Sequence, residues 1–185
     1  MPLSLDGKRL TVSSVSAMRS VLTTLSLLAL GIWLGALLLF VQVAAIAFGS
    51  LPPLFLNPAE GIHGAGLVVG GTLRHLHYMG LICGVLFLIF SFMLRARVRW
   101  HSVVPQAVLV LIMVLLTAFS QFSIIPRMDI AQAAAGGNVA ALPDSSPGRI
   151  QFDQLHRESV HMEGIVLILG FIAFALAGRP HSLRL

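Results

Sequence analysis

Four histidines and one glutamate in otherwise apolar stretches of the chain have the residue types of a metal site. His75 and His77 are separated by one residue, and His156, His161 and Glu163 lie within one short segment further along. Ionisable side chains at membrane depth are costly and usually bind ions, protons or cofactors. Imidazole and carboxylate groups are ligands for zinc, iron and copper. We therefore predict that these five side chains bind a transition-metal ion.

Softer ligands continue from His75 along the same stretch. Met79 and Cys83 follow it at helical spacing, and Met113 of the next apolar stretch falls at about the depth of Cys83. Thioether and thiolate groups favour Cu(I), so these residues could pass a soft ion inward. The alternative is that both methionines and the buried thiol fill gaps in an apolar core.

Two other functions fit the same histidines. Haem b needs two inward histidines at similar depth on facing helices, which one histidine of each pair could supply. A structural or assembly protein would use the histidines only to complete hydrogen bonds. The chain has no complete catalytic motif, so we do not predict an enzyme.

Composition defines the helices that must position these residues. Hydrophobic residues make up 57% of the 185 residues and charged residues only 10%, which is far outside the range of soluble domains. An apolar stretch of about 20 residues can cross the hydrocarbon layer of a membrane. Four such stretches predict an all-α, integral membrane four-helix bundle within residues 20–178, with helices at about 21–48, 66–94, 103–125 and 149–177.

The basic residues predict the orientation of this bundle. Eight of the 12 lysines and arginines lie in the segment 1–19, between the second and third helices, or in the tail 179–185. Six of the seven acidic residues lie in the opposite half. Because basic residues concentrate on the cytoplasmic side, both termini should be cytoplasmic, in a bacterial inner membrane. The net charge of +5 thus reflects topology, and we predict the lipid bilayer, not nucleic acid, as the partner. A homo-oligomer or a larger membrane complex is also compatible with the sequence.

Helical rise places several polar residues at one depth. Counted from the cytoplasmic end of each helix, His77, His161, Ser120 and Gln121 all lie roughly 26 Å up, and Glu163 roughly 22 Å. Three helices should therefore bring polar groups to one layer in the outer half of the bundle. We predict that four further residues support the ligands in this layer, namely Arg74, Ser120, Gln121 and Ser159.

Proline and glycine residues near this layer predict turns and helix breaks. The proline-rich segment 51–58 predicts either an extended interfacial stretch or a tight turn. Pro126 predicts a break, after which the third helix continues beyond the membrane. The glycine-rich segment 133–148 predicts a flexible connection.

Four ordered segments resemble the transmembrane protein 205-like family. They are Gly31-Ile32-Trp33-Leu34-Gly35, the stretch 66–84, Ile125-Pro126-Arg127-Met128, and the pattern Phe152-Asp153-x-Leu155-His156-x-x-Ser159-Val160. The resemblance implies a four-span membrane protein of unknown function, whose eukaryotic namesake has been linked to tolerance of platinum drugs. Trp33, His156 and Ser159 match the family pattern, but the family gives them no established role. His75, His77, His161 and Glu163 depart from it, so a metal or proton function would be particular to this branch.

Overall fold

The computed structural model of the chain describes residues 6–95 and 104–177, with side chains described for 16–94 and 104–177. Within these ranges the protein is helical and contains no strand. The α-helices are α1 (Asp6–Ser50), α2 (Pro58–Arg95), α3 (Val104–Phe119), α4 (Ile125–Ala134) and α5 (Pro147–Ala177). A π-helical segment, Ser120–Ile124, joins α3 to α4, and short 3-10 turns lie at Pro52–Leu54 and Val139–Ala141.

Four segments are long and apolar enough to cross a membrane, which confirms the all-α architecture and the number of spans. They are Ser16–Leu54, Pro58–Leu94, Val104–Ala134 and Pro147–Ala177. By length and composition they suggest a multi-pass membrane protein. Large apolar side chains are exposed along them, as expected for helices that face lipid.

The helix ends differ from the predicted bounds in the polar and proline-containing segments. The first helix begins at Asp6 instead of near residue 21, and α2 begins at Pro58 instead of near residue 66. Asn57 explains the earlier start of α2, because its side-chain oxygen accepts the backbone N–H of Ala59 at 3.1 Å, as an N-cap residue does. Proline at the next position suits the first turn of a helix, since it has no N–H to leave unpaired. The segment before it is therefore a tight turn and not an extended stretch.

The helices run alternately up and down and form a ring in which α2 packs against α1 and α3, and α5 packs against α3 and α1. The tightest approach is between α1 and α2, where Trp33 is 1% exposed. A Cβ atom added at Gly80 would lie 2.6 Å from Cε2 of the Trp33 indole, and one added at Gly84 would lie 2.9 Å from its Cζ3. Small residues at these two positions therefore allow the helices to approach closely.

An apolar core fills the half of the bundle away from the connecting turns. It includes Leu30, Phe87, Val110, Met113 and Val166, all nearly inaccessible. We call the opposite end, which carries the turns Pro52–Leu54 and Val139–Ala141, the loop end. The polar residues His77, Gln121 and Glu163 lie between this core and the loop end.

Candidate functional site

His77 of α2 lies at the centre of a polar cluster inside the bundle and is 1% exposed. Its Nδ1 lies 3.0 Å from Oε1 of Gln121, and its Nε2 lies 2.6 Å from Oε1 of Glu163 on α5. We call these three residues the triad. Because α2 and α5 face each other across the ring, the triad lies near the bundle axis.

The two hydrogen bonds define the proton content of the triad. The amide oxygen of Gln121 can only accept, so Nδ1 of His77 must donate to it. A contact of 2.6 Å between Nε2 and the Glu163 carboxyl requires a second proton between those two atoms. With one proton there, the pair is either neutral imidazole with carboxylic acid or imidazolium with carboxylate. Both arrangements have zero net charge, which suits a low-dielectric interior.

The π-helical segment positions Gln121. The backbone N–H of Ile125 donates to the carbonyl of Ser120 across five residues, which widens this turn relative to an α-helix. Ser120 and Gln121, neighbours in sequence, are consequently both buried on the inner side of the helix. Pro126 follows at once and lacks an N–H, so it cannot continue the regular hydrogen-bond ladder. At the break predicted near this proline, one helical turn contains an extra residue. The chain then continues as α4 to Ala134.

Glu163 is 13% exposed and uses only one of its two oxygens within the triad. Its Oε2 atom is buried and has no hydrogen-bond partner among the described residues. Glu163 is thus paired with a histidine of another helix. Arg74, predicted from the sequence to support the ligands, instead forms an ion pair with Asp129 of α4.

Beside Glu163 lies a cleft of about 990 Å³, at the upper end of the range for small-molecule pockets. α1 and α5 contact each other where Gly31 faces Phe174 and Gly170 faces Leu34, and both helices line the cleft nearer the loop end. Its walls are mainly apolar and include Leu37, Phe40, Leu67, Leu73, Val160 and Leu167. Leu67 and Val160 are among its exposed wall residues, so it is open to the surroundings of the bundle.

Charged residues at the loop end of the cleft are joined in pairs. Arg74 contacts Asp129, and Nε of Arg149 donates to Asp153 at 3.0 Å. Arg149 also donates to the carbonyl of Val139 at 3.1 Å, which fastens the connection between α4 and α5. The glycine-rich segment predicted to be flexible is thus tied to the start of α5 by one side chain.

The other predicted metal ligands do not join His77 and Glu163 in one group. His75 is exposed, and its Nδ1 contacts the carbonyl of Gly71 at 2.9 Å. His156 is exposed, lines the cleft and stacks on Phe152 with ring centroids 6.3 Å apart. His161 is exposed. Among the described residues no three His, Cys, Asp or Glu side chains are placed to hold a metal ion.

The softer ligands lie in the apolar core. Cys83 and Met113 belong to the core cluster, and Met79 packs against it. Of the predicted supporting residues, Ser120 and Ser159 are buried, and Ser159 lines the cleft with Arg74. Bis-histidine haem ligation is not assembled in the described residues, because both ring nitrogens of His77 are already hydrogen bonded and the other three predicted histidines are exposed.

Sequence reasoning did not identify the cleft or the ion pairs at its loop end. His75 and His77 lie two residues apart and therefore face nearly opposite sides of α2, but periodicity alone does not say which side is inside. Gly80 and Gly84 share the face of His77 at spacings of three and seven residues, and such a small-residue stripe marks a packed face. This signal could have identified His77 as the buried histidine.

Comparison with known proteins identifies no relative. No protein family, no curated protein and no solved structure matches the chain.

Proposed function

We propose that this chain is a multi-pass membrane protein that binds a small molecule from the bilayer in its cleft, with Glu163 as the polar group that orients the ligand. The observation that carries the proposal is the position of Glu163. One carboxyl oxygen is held by His77 at 2.6 Å. The other is buried and has no partner within the described part of the chain, and Glu163 lines the cleft. Pockets for small molecules typically combine apolar walls with a few fixed polar groups.

Filling the cleft tests this proposal. Gly164 lines the cleft, and a Cβ added there would meet no heavy atom of the described residues within 4 Å, so Gly164→Leu places a side chain in the ligand space. Gly35 is equally unobstructed but does not line the cleft, which makes Gly35→Leu the matched control. In lipid nanodiscs, a long-chain photoreactive lipid analogue should label cleft peptides saturably in the parent protein and in Gly35→Leu. Labelling should fall in Gly164→Leu. Equal labelling of all three proteins would refute the proposal.

A transition-metal function is a second candidate, because Glu163 and His156 line the same cleft and Glu163 contacts His77. Binding an ion there would require His77 to give up its hydrogen bond to Glu163, which would make an imidazole and a carboxylate available as ligands. Elemental analysis of detergent-purified protein tests this candidate. One bound ion per chain, lost in His77→Ala and in Glu163→Ala but retained in His75→Ala, would support it. Purified protein that takes up no copper, zinc or iron would exclude it.

Membership of the transmembrane protein 205-like family and location in a bacterial inner membrane with cytoplasmic termini belong to the same proposal. Support for the family comes from the four ordered sequence segments, and support for the orientation comes from the basic residues at the ends of the helices. Under this orientation the loop end and the cleft face the outer half of the membrane.

A further inference from the structure

We propose that the cleft ligand is an apolar molecule with a neutral hydroxyl group, such as a long-chain alcohol, and that Oε2 of Glu163 accepts a hydrogen bond from this hydroxyl. The inference rests on the proposed function and specifies the chemical class of its ligand.

A ligand that bonds to Oε2 of Glu163 must be a hydrogen-bond donor. When Oε1 carries the shared proton, Oε2 is a carbonyl-type oxygen, and when the proton is on His77, Oε2 belongs to a carboxylate. Either oxygen is an acceptor. A carbonyl, ether or ester oxygen on a ligand would therefore face Oε2 without forming a hydrogen bond.

The charge of the triad selects a neutral donor over a cation. One proton lies between His77 and Glu163, so the pair has no net charge in either arrangement. A protonated amine at Oε2 would place an uncompensated positive charge beside a buried group, which is unfavourable in a low-dielectric site. A hydroxyl group supplies the donor without that charge.

The loop end of the cleft gives no basis for an anionic ligand. The two arginines that line it are each paired with an aspartate, Arg74 with Asp129 and Arg149 with Asp153. An aspartate therefore already balances the charge of each arginine, so a carboxylate or phosphate would meet no uncompensated positive charge there. The apolar walls between this charged end and Glu163 instead suit a hydrocarbon body.

The opening of the cleft indicates how such a molecule would enter. Val41 on α1, Leu67 on α2 and Val160 on α5 are apolar wall residues that are about half exposed. In a bilayer these residues would face lipid, so an amphiphile could enter sideways, with its hydroxyl at Glu163 and its chain along the wall.

Competition photolabelling tests the ligand class. A diazirine-bearing long-chain alcohol is cross-linked to the full chain in lipid nanodiscs, and the labelled peptides are mapped by mass spectrometry. The competitors are 1-dodecanol, dodecyl methyl ether, dodecylammonium and dodecanoate, which share the chain length but differ in the end group. We expect dodecanol to compete about tenfold better than the ether, the factor given by one hydrogen bond of about 1.4 kcal/mol.

Variants locate the acceptor. Glu163→Leu should remove the preference for the alcohol over the ether. Glu163→Gln should keep the preference, because its amide can donate to His77 while its oxygen faces the cleft. Glu158→Leu is the matched control, since Glu158 is on the same helix but does not line the cleft. If Glu163→Leu does not fold, the competitor series on the parent protein and on Glu163→Gln still decides the question.

The outcomes separate the two proposals. Saturable cleft labelling with equal competition by alcohol and ether, or with stronger competition by dodecylammonium or dodecanoate, overturns the hydroxyl ligand and leaves cleft binding standing. A tenfold alcohol preference that persists in Glu163→Leu also overturns it. Labelling that is not saturable at any cleft peptide refutes the proposed function itself.

Discussion

Replacing Glu163 with leucine should destabilise the protein much more than replacing it with glutamine. Leucine removes the hydrogen-bond partner of His77 Nε2, and His77 is 1% exposed, so water cannot replace it. A buried polar group left unsatisfied costs about 1–3 kcal/mol. Glutamine can donate its amide N–H to Nε2, so its cost should stay below about 1 kcal/mol.

The chain contains its own reporter for this measurement. Cys83 is the single cysteine and is 7% exposed in the apolar core, so a thiol-reactive fluorogenic dye should label it only when the bundle unfolds. For a protein of this size, 1 kcal/mol corresponds to about 2–4 °C in Tm. We expect Glu163→Leu to lower Tm by about 2–12 °C and Glu163→Gln by less than about 4 °C.

A double-substitution cycle gives the strictest form of this test. If His77 and Glu163 bond directly, combining His77→Leu with Glu163→Leu should cost less than the sum of the single changes, since directly contacting residues couple by about 0.5–3 kcal/mol. Additive single effects, or a Tm of Glu163→Leu equal to that of the parent protein, would show that the bond between α2 and α5 is not formed.

Three further expectations concern the bundle and its orientation. Gly80→Ala should lower Tm by about 2–12 °C, since the indole packed against Gly80 must shift and overpacking costs about 1–3 kcal/mol. Gly35→Ala should not lower Tm, because its Cβ would meet no atom of the described residues within 4 Å. Arg149→Ala should speed proteolysis of the connection 136–148, because the bond from Arg149 to the Val139 carbonyl is lost. It should lower the free energy of unfolding by less than about 1 kcal/mol, because the ion pairs of Arg149 are partly exposed. An unchanged rate of cleavage would contradict the role of Arg149 in holding this connection. A reporter fused after Leu185 should be cytoplasmic and one inserted in 136–148 external, and an external C-terminus would refute the orientation.

Depth in the bundle could be predicted from the sequence because helical rise is nearly constant. Counting residues from the helix ends placed His77, Gln121 and Glu163 at similar levels, and the structure joins these three side chains directly. The number of spans was predictable for a related reason, since the length of an apolar stretch and the thickness of a bilayer are both fixed quantities.

Direction around each helix was harder to predict. A period of 3.6 residues relates positions within one helix, but it does not say which face meets the neighbouring helices. His156 and His161 of α5 were both predicted as ligands, but both are exposed. Of the predicted ligands on α5, only Glu163 contacts His77. The π-helical turn before Pro126 also shifts the helical period by one residue, which no periodic pattern can anticipate.

The cleft could not be predicted from local pattern at all. Its walls come from α1, α2, α4 and α5, so its shape depends on how these separate helices pack against one another. One such contact is that of the Leu34 side chain with Gly170. Such a long-range geometric property has no counterpart in hydropathy or spacing.

The unpaired oxygen of Glu163 differs physically from the two unpaired hydroxyls on α3 and the π-helical segment. The hydroxyls of Thr117 and Ser120 are also buried without partners among the described residues, but a hydroxyl can rotate to donate to a carbonyl in the preceding turn of its own helix. Oε2 of Glu163 cannot use any backbone carbonyl, because both atoms are acceptors while the shared proton lies at Oε1. Its partner must be a donor from outside the helix, and Glu163 lines the cleft, from which a donor would reach Oε2 once the side chain turns towards it.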